Sequence, residues 1–136
     1  MSNIQFGWRV LKHIKNTDIL TSCVQQEYAG AINYYIDKWV KPRKNFGDLT
    51  VFTTYEGGLY FGTEMAKNSF MNQLELWPCL YVQSDRMFVG TTKDKRYLED
   101  LYTINENLIL PDSVDLAKKI KILYVKNPHI WKPPGR

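Results

Sequence analysis

Residues 74–82, LELWPCLYV, narrow what this chain can fold into more than any other stretch. The run is the strongest strand of the sequence, apolar and rich in strand-favouring side chains. Pro78 stands in its middle, and proline has no N–H to give to a ladder. The strand is therefore expected either to bulge at Pro78 or to lie at a sheet edge. Everything else in the fold has to be arranged around that segment.

Residues 5–14 mix aromatic and β-branched side chains with polar ones and read as a strand. Lys15-Asn-Thr-Asp18 is turn chemistry, and residues 18–25 return as the second arm of a hairpin. Residues 34–41 are a third extended piece closed by Pro42, which pushes its neighbour out of helical space. A polar loop over 42–48 then leads to a short apolar strand at 49–53, expected to be central. Thr54 suits a helix N-cap and Glu56 suits the first turn of a helix running to about Lys67. Residues 86–91 suggest another short strand, and 95–102 a helical turn. Asp112 or Ser113 could cap one further turn. Beyond it, Lys119 and Lys121 alternate with Ile120, Ile122 and Tyr124, the period of a half-buried strand over 119–125.

These elements predict one α+β domain over residues 1–126, a mostly antiparallel twisted sheet with one main helix packed on it. An irregular, proline-rich basic tail is expected over 127–136. At 136 residues the chain is long enough to bury roughly two-thirds of its unfolded surface. No apolar run approaches the roughly 18 residues of a membrane span, and the N-terminus lacks the order of a signal peptide. With only Cys23 and Cys79, no CxxC pair and no Asn-x-Ser/Thr acceptor, a cytoplasmic protein with reduced, buried thiols is expected.

Charge is unevenly spread. From Lys118 to the end there are six basic residues and no acidic one, whereas the preceding 117 hold 12 basic and 14 acidic. Such a strip meets phosphates, or it protects a sheet edge from aggregation.

Catalytic and metal-binding patterns are scarce. His13 and His129 lie at opposite ends of the chain without ligand-spaced partners, which argues against a zinc site. There is no Gly-x-Ser-x-Gly elbow, and Cys79 falls within a strong apolar strand, the setting of an inert thiol. Gly57 and Gly58 stand near a helix start, yet no phosphate-loop pattern surrounds them. Gly58 and Gly62 share one helix face, so close packing against a neighbouring strand is the better reading. Any ligand there is expected beside Thr54 and Tyr55 instead. No cofactor is implied.

The remaining signal is a mixture of cations and aromatics. Lys41, Arg43 and Lys44 lie between Trp39 and Phe46, and Arg86, Lys93, Lys95 and Arg96 surround Phe88 and Tyr97. Aromatic faces stack on bases while Arg or Lys neutralises phosphate, so the blend suits a nucleotide or a single strand. It equally suits a protein interface, and tryptophans and tyrosines also fill small cores.

Three pieces of the chain carry a resemblance. YIDKWVKPRKNFGDLTVFTTYEGGLYF resembles the central stretch of small, mostly uncharacterised phage and prophage proteins. In those, Tyr-x-x-x-x-Trp-x-x-Pro precedes Gly-x-Leu-x-Val-Phe and a helix bearing Glu. ELWPCLYVQSDR is similar to their following strand and LPDSVDLAKKIKILYV to their closing one. The chain departs from that pattern at Glu56-Gly-Gly-Leu, where an alanine-rich turn usually opens the helix. The resemblance implies a small α+β fold in a viral or mobile-element setting, and it transfers no catalytic residue. Separately, Gln73-Leu-Glu75 is similar to the Gln-x-Glu element of ADP-ribosyltransferases, although the rest of that constellation is not recognisable. As part of a strand, Glu75 is expected to face outward.

The sequence thus supports a non-enzymatic accessory protein that binds, and in a counter-defence role sequesters, an anionic nucleotide-like ligand. Arg43, Lys44, Arg86 and Lys93 would meet phosphates, with Thr54 beside them and Tyr55 and Trp77 stacking. A binding module for a host protein or nucleic acid, using the strip from Lys118, is the second expectation. A small ADP-ribosyltransferase-like enzyme acting through Glu75 is the third. No membrane partner is expected, and an exposed sheet edge would allow homo-oligomers.

Overall fold

Pro78 lies in the middle of the best-paired strand of the molecule. In the computed structural model, which describes residues 4–22, 32–42, 48–67, 73–85, 110 and 113–133, strand β6 runs from Gln73 to Gln83. It pairs antiparallel with β1, Ile4–His13, through ten consecutive positions from Ile4 opposite Val82 to His13 opposite Gln73. The register passes through Pro78, opposite Trp8, without a break. The strand is therefore neither bulged at Pro78 nor at an edge.

The reason is where the proline's missing donor points. The Pro78 carbonyl accepts from Leu123 N–H at 3.0 Å, so the polar edge of this residue faces away from β1. On that far side β6 changes partners. Leu74–Leu76 pair with β8, His129–Trp131, and Cys79–Gln83 pair with β7, Val114–Ile122. Pro78 falls at the changeover, where the absent N–H ends one ladder instead of breaking it.

The hairpin appears as expected, with β2 at Leu20–Ser22 folding back on Leu11–His13 of β1. Asn16, at φ 62°, takes the left-handed conformation that asparagine tolerates in such turns. The extended piece at 34–41 is instead two short strands, β3 (Asn33–Tyr34) and β4 (Trp39–Val40), joined through Asp37 at φ 64°. Strand β5, Leu49–Phe52, is buried at all four positions, as a central strand should be.

The sheet closes on itself. β1 pairs with β5, β5 with β7, β7 with β6, and β6 with β1, while β2, β3, β4 and β8 extend the ends. A mostly antiparallel sheet with one helix among the described residues is as expected, but it is a closed barrel and not an open twisted sheet. The early start of β7 makes closure possible, because Val114–Ala117 supply the pairing with β5, and β8 adds a further short strand on β6. β7 begins at Val114, five residues before the alternation at Lys119, and the tail supplies β8 where irregular chain was expected. The strand expected at 86–91, the helical turn at 95–102, Asp112 and Cys23 lie outside the described residues.

The helix α1 spans Tyr55–Ala66, with the Thr54 hydroxyl accepting from Gly57 N–H at 3.0 Å. It lies on the outside of the barrel. One apolar cluster, including Leu11, Val51, Trp77, Cys79, Ile120 and Ile122, fills the interior. A second, with Val10, Phe52, Phe61, Leu74, Leu76 and Leu116, lies between sheet and helix. Alternation along β1 and β6 sends neighbouring residues to opposite clusters. A methyl group at Gly58 would stand 2.7 Å from Leu76 Cδ1, and one at Gly62 only 2.1 Å from the Trp131 ring. Those two glycines are what lets the helix settle against β6 and β8, so packing is their role.

Candidate functional site

The helix covers only part of the barrel's outer surface. On the uncovered part, side chains directly opposite one another share a face and form rows across four strands. Phe6 of β1 stands opposite Leu80 of β6, Leu80 opposite Lys121 of β7, and Lys121 opposite Trp39 of β4. Beside it runs a parallel row, Ile4–Val82–Lys119. Neither row contains a carboxylate. Ile4, Phe6 and Trp39 are exposed, Phe6 to 50%.

A bulge in β7 makes this arrangement possible. Val82 pairs with Lys119 but Gln83 pairs with Ala117, which leaves Lys118 as one extra residue. An extra residue inverts the alternation on its two sides. Leu116 thereby packs beneath the helix, while Ile120 and Ile122 fill the interior and Lys119 and Lys121 come to the outer face. Lys118 itself reaches Asp85 at 3.3 Å.

The two ends of the rows differ chemically. At the β1 end, the rings of Phe6 and Trp8 meet edge to face at 4.9 Å, and Trp8 meets Tyr55 at 6.1 Å. At the β4 end, Lys119 Nζ lies 4.8 Å and Lys121 Nζ 5.8 Å from the centre of the Trp39 ring. Rings at one side and ammonium groups at the other compose a single amphipathic face.

Polar clusters at Glu75 and at Asp115 compete for attention as sites. Glu75 is 3% exposed, so it points inward, contrary to the outward position expected for it. Its carboxylate accepts from Gln73 Nε2 at 2.6 Å, His13 Nδ1 at 2.7 Å and Trp77 Nε1 at 2.9 Å. His13 Nε2 donates to the Thr17 carbonyl at 2.5 Å. Both ring nitrogens thus face acceptors, which calls for the protonated imidazolium. The hydrogen bond to Glu75 raises the His13 pKa above its ordinary value, with the Thr17 carbonyl adding to it and burial opposing. With neither nitrogen free for a substrate, the pair is a staple across the β1–β6 ends and not an acid–base dyad.

The second cluster centres on Asp115, which accepts from Tyr81 Oη at 2.8 Å and Gln83 Nε2 at 3.1 Å. Burial, then Asp115, pushes the Tyr81 phenol well above its usual range. Burial likewise pushes the Cys79 thiol up to about 12, so it is inert at neutral pH, as its strand position suggested. No group of three or more metal-ligating side chains occurs among the described residues.

Of the residues singled out from sequence, Thr54 caps the helix and Tyr55 is exposed at the end of the aromatic string. Trp77 lies in the interior with its N–H on Glu75, which gives it a packing role. Arg43, Lys44, Arg86 and Lys93 lie outside the described residues. Phe6, Trp8 and the pairing of Lys119 and Lys121 with Trp39 were missed. Alternation in residues 5–10 puts Phe6 and Trp8 on one face, but only the register of β1 on β6 and of β6 on β7 brings that face to the lysines. The chain matches no family model, no curated protein and no solved structure.

Proposed function

We propose that the uncovered face is a binding surface for single-stranded nucleic acid. The observation that carries this reading is the row Phe6–Leu80–Lys121–Trp39 with its neighbour Ile4–Val82–Lys119. Unpaired bases stack on exposed rings at a cost to no particular sequence, and lysines neutralise the phosphates between them. In a duplex those faces are already stacked on neighbouring base pairs, so duplex is the poorer ligand. A free nucleotide is also a poorer match, because small molecules are held in concave clefts whereas this surface is spread over four strands.

In the phage setting that the resemblance implies, such a module would hold single-stranded nucleic acid without itself being an enzyme. Fluorescence anisotropy with a labelled twelve-nucleotide oligothymidylate tests the reading. Binding should weaken with added salt, and an equimolar duplex should compete poorly. A Lys119→Ala/Lys121→Ala variant should lose both the affinity and the salt dependence. Equal affinity for duplex, or none for the single strand, would overturn the proposal.

A further inference from the structure

The two ends of the face are not equivalent, and the difference defines what the ligand must look like. Resting on the reading above, we infer that the site is polarised and short. Bases stack at the β1 end on Phe6, Trp8 and Tyr55, phosphates sit at the β7 end on Lys119 and Lys121, and the strand crosses the β-strands over about three nucleotides.

The polarity follows from Trp39. Its ring carries Lys119 Nζ at 4.8 Å and Lys121 Nζ at 5.8 Å from its centre, so ammonium groups occupy the ring that a base would need. The attraction between those charges and the ring holds each lysine head beside Trp39. Trp39 therefore positions the phosphate-binding lysines and is not a stacking platform. At the other end the rings of Phe6, Trp8 and Tyr55 meet one another edge to face, and Phe6 and Tyr55 are exposed.

The length follows from strand spacing. Neighbouring strands lie about 4.8 Å apart, which puts Phe6 about 10 Å from Lys121 across two intervals. A stacked single strand carries one phosphate per about 3.4 Å, so that distance covers about three nucleotides. Two lysines neutralise two phosphates, and at about 0.7 per phosphate the salt slope should be near −1.4. Between 50 and 200 mM salt that slope means about sevenfold weaker binding.

Oligothymidylates of one, two, three, six and twelve nucleotides, measured with the full chain, test the length. Affinity per available window should rise to three nucleotides and then stay flat. Three variants test the polarity. Phe6→Ala should cost at least about fivefold in affinity with the salt slope unchanged, since stacking is worth that much per base. Lys119→Ala/Lys121→Ala should flatten the slope, and Trp39→Ala should cost less than Phe6→Ala. Affinity per window still rising beyond six nucleotides, or a slope steeper than about −3, overturns the short footprint and leaves the binding face intact. Trp39→Ala costing as much as Phe6→Ala overturns the polarity alone. Failure of every oligonucleotide to bind removes the proposed function, and this inference with it.

Discussion

Strands β1 and β6 each carry two outer surfaces that differ in fate. Val10 and Leu76, opposite each other in the ladder, are buried beneath the helix together with Phe61. Four rungs further along, Phe6 and Leu80 are likewise opposite each other, and Phe6 is half exposed. The strands, the pairing and the apolar character are the same. What differs is the reach of α1, whose twelve residues span only about 18 Å and whose glycines seat it toward Leu76 and Trp131. The comparison teaches that an apolar outer face is not by itself core. It becomes core only where a second layer lies on it, and otherwise it is available to a partner.

The largest expected effect comes from removing the same side chain from each half. Phe61 is 1% exposed and packs on Phe52 with ring centres 5.0 Å apart. Phe61→Ala should cost about 3–5 kcal/mol, the usual range for a buried phenylalanine. Phe6→Ala should change stability by no more than about 0.5 kcal/mol, because the ring is already half in water. Urea unfolding of the two variants measures the contrast directly. Comparable losses would mean that the outer surface is one continuous core, and the division between halves would fail.

That division was only partly legible in the sequence. The helix, its Thr54 cap and the packing role of Gly58 and Gly62 follow from local chemistry, and they hold in the structure. Barrel closure does not follow, because it depends on which of two edges each strand offers to which partner, and those contacts are remote in sequence. The bulge at Lys118 hid the start of β7. Leu116 and Ala117 are both buried, on opposite sides of the sheet, so the period-two pattern becomes visible only after it. Short β8 was hidden by the prolines around it, although Trp131 fills the space left by Gly62. The candidate site was legible as ingredients, aromatics and lysines, but not as a location. Trp77 and Glu75 show why, since a strand's alternation does not say which of its faces is the inside.

A middle-sized effect should separate the two halves by pH. The His13–Glu75 staple holds the ends of β1 and β6 that lie toward the covered half, Lys12 pairing with Leu74 and His13 with Gln73. The folded pKa of His13 is raised by Glu75. Its stabilising contribution is therefore complete below the unfolded value of about 6.5 and is lost as pH rises through the folded value. Because the imidazole is partly in water, the contribution should be no more than about 1 kcal/mol. Urea midpoints should fall across that window in the parent chain and stay flatter in His13→Gln. Oligonucleotide affinity should not follow the same curve, since the two rows contain neither histidine nor carboxylate. A shared titration would show that the staple and the open face are coupled, and would join what the comparison separates.

The smallest effect is expected at the residue that first constrained the fold. Pro78 lies between the rungs that β6 makes with β8 and those it makes with β7, and its carbonyl already accepts from Leu123. Pro78→Ala would return an N–H to this position, directed toward Leu123 and not toward β1. Loss of proline's restriction on the unfolded chain costs roughly 0.4–1 kcal/mol, and one new backbone hydrogen bond returns about as much. The two should nearly cancel, leaving stability within about 1 kcal/mol of the parent. Hydrogen exchange gives the sharper readout, because the new amide at position 78 should be protected if the β7 ladder extends through it. A freely exchanging amide there, or a large loss of stability, would mean that the proline shapes the β1–β6 pairing itself, and with it the register that sets Phe6 opposite Leu80.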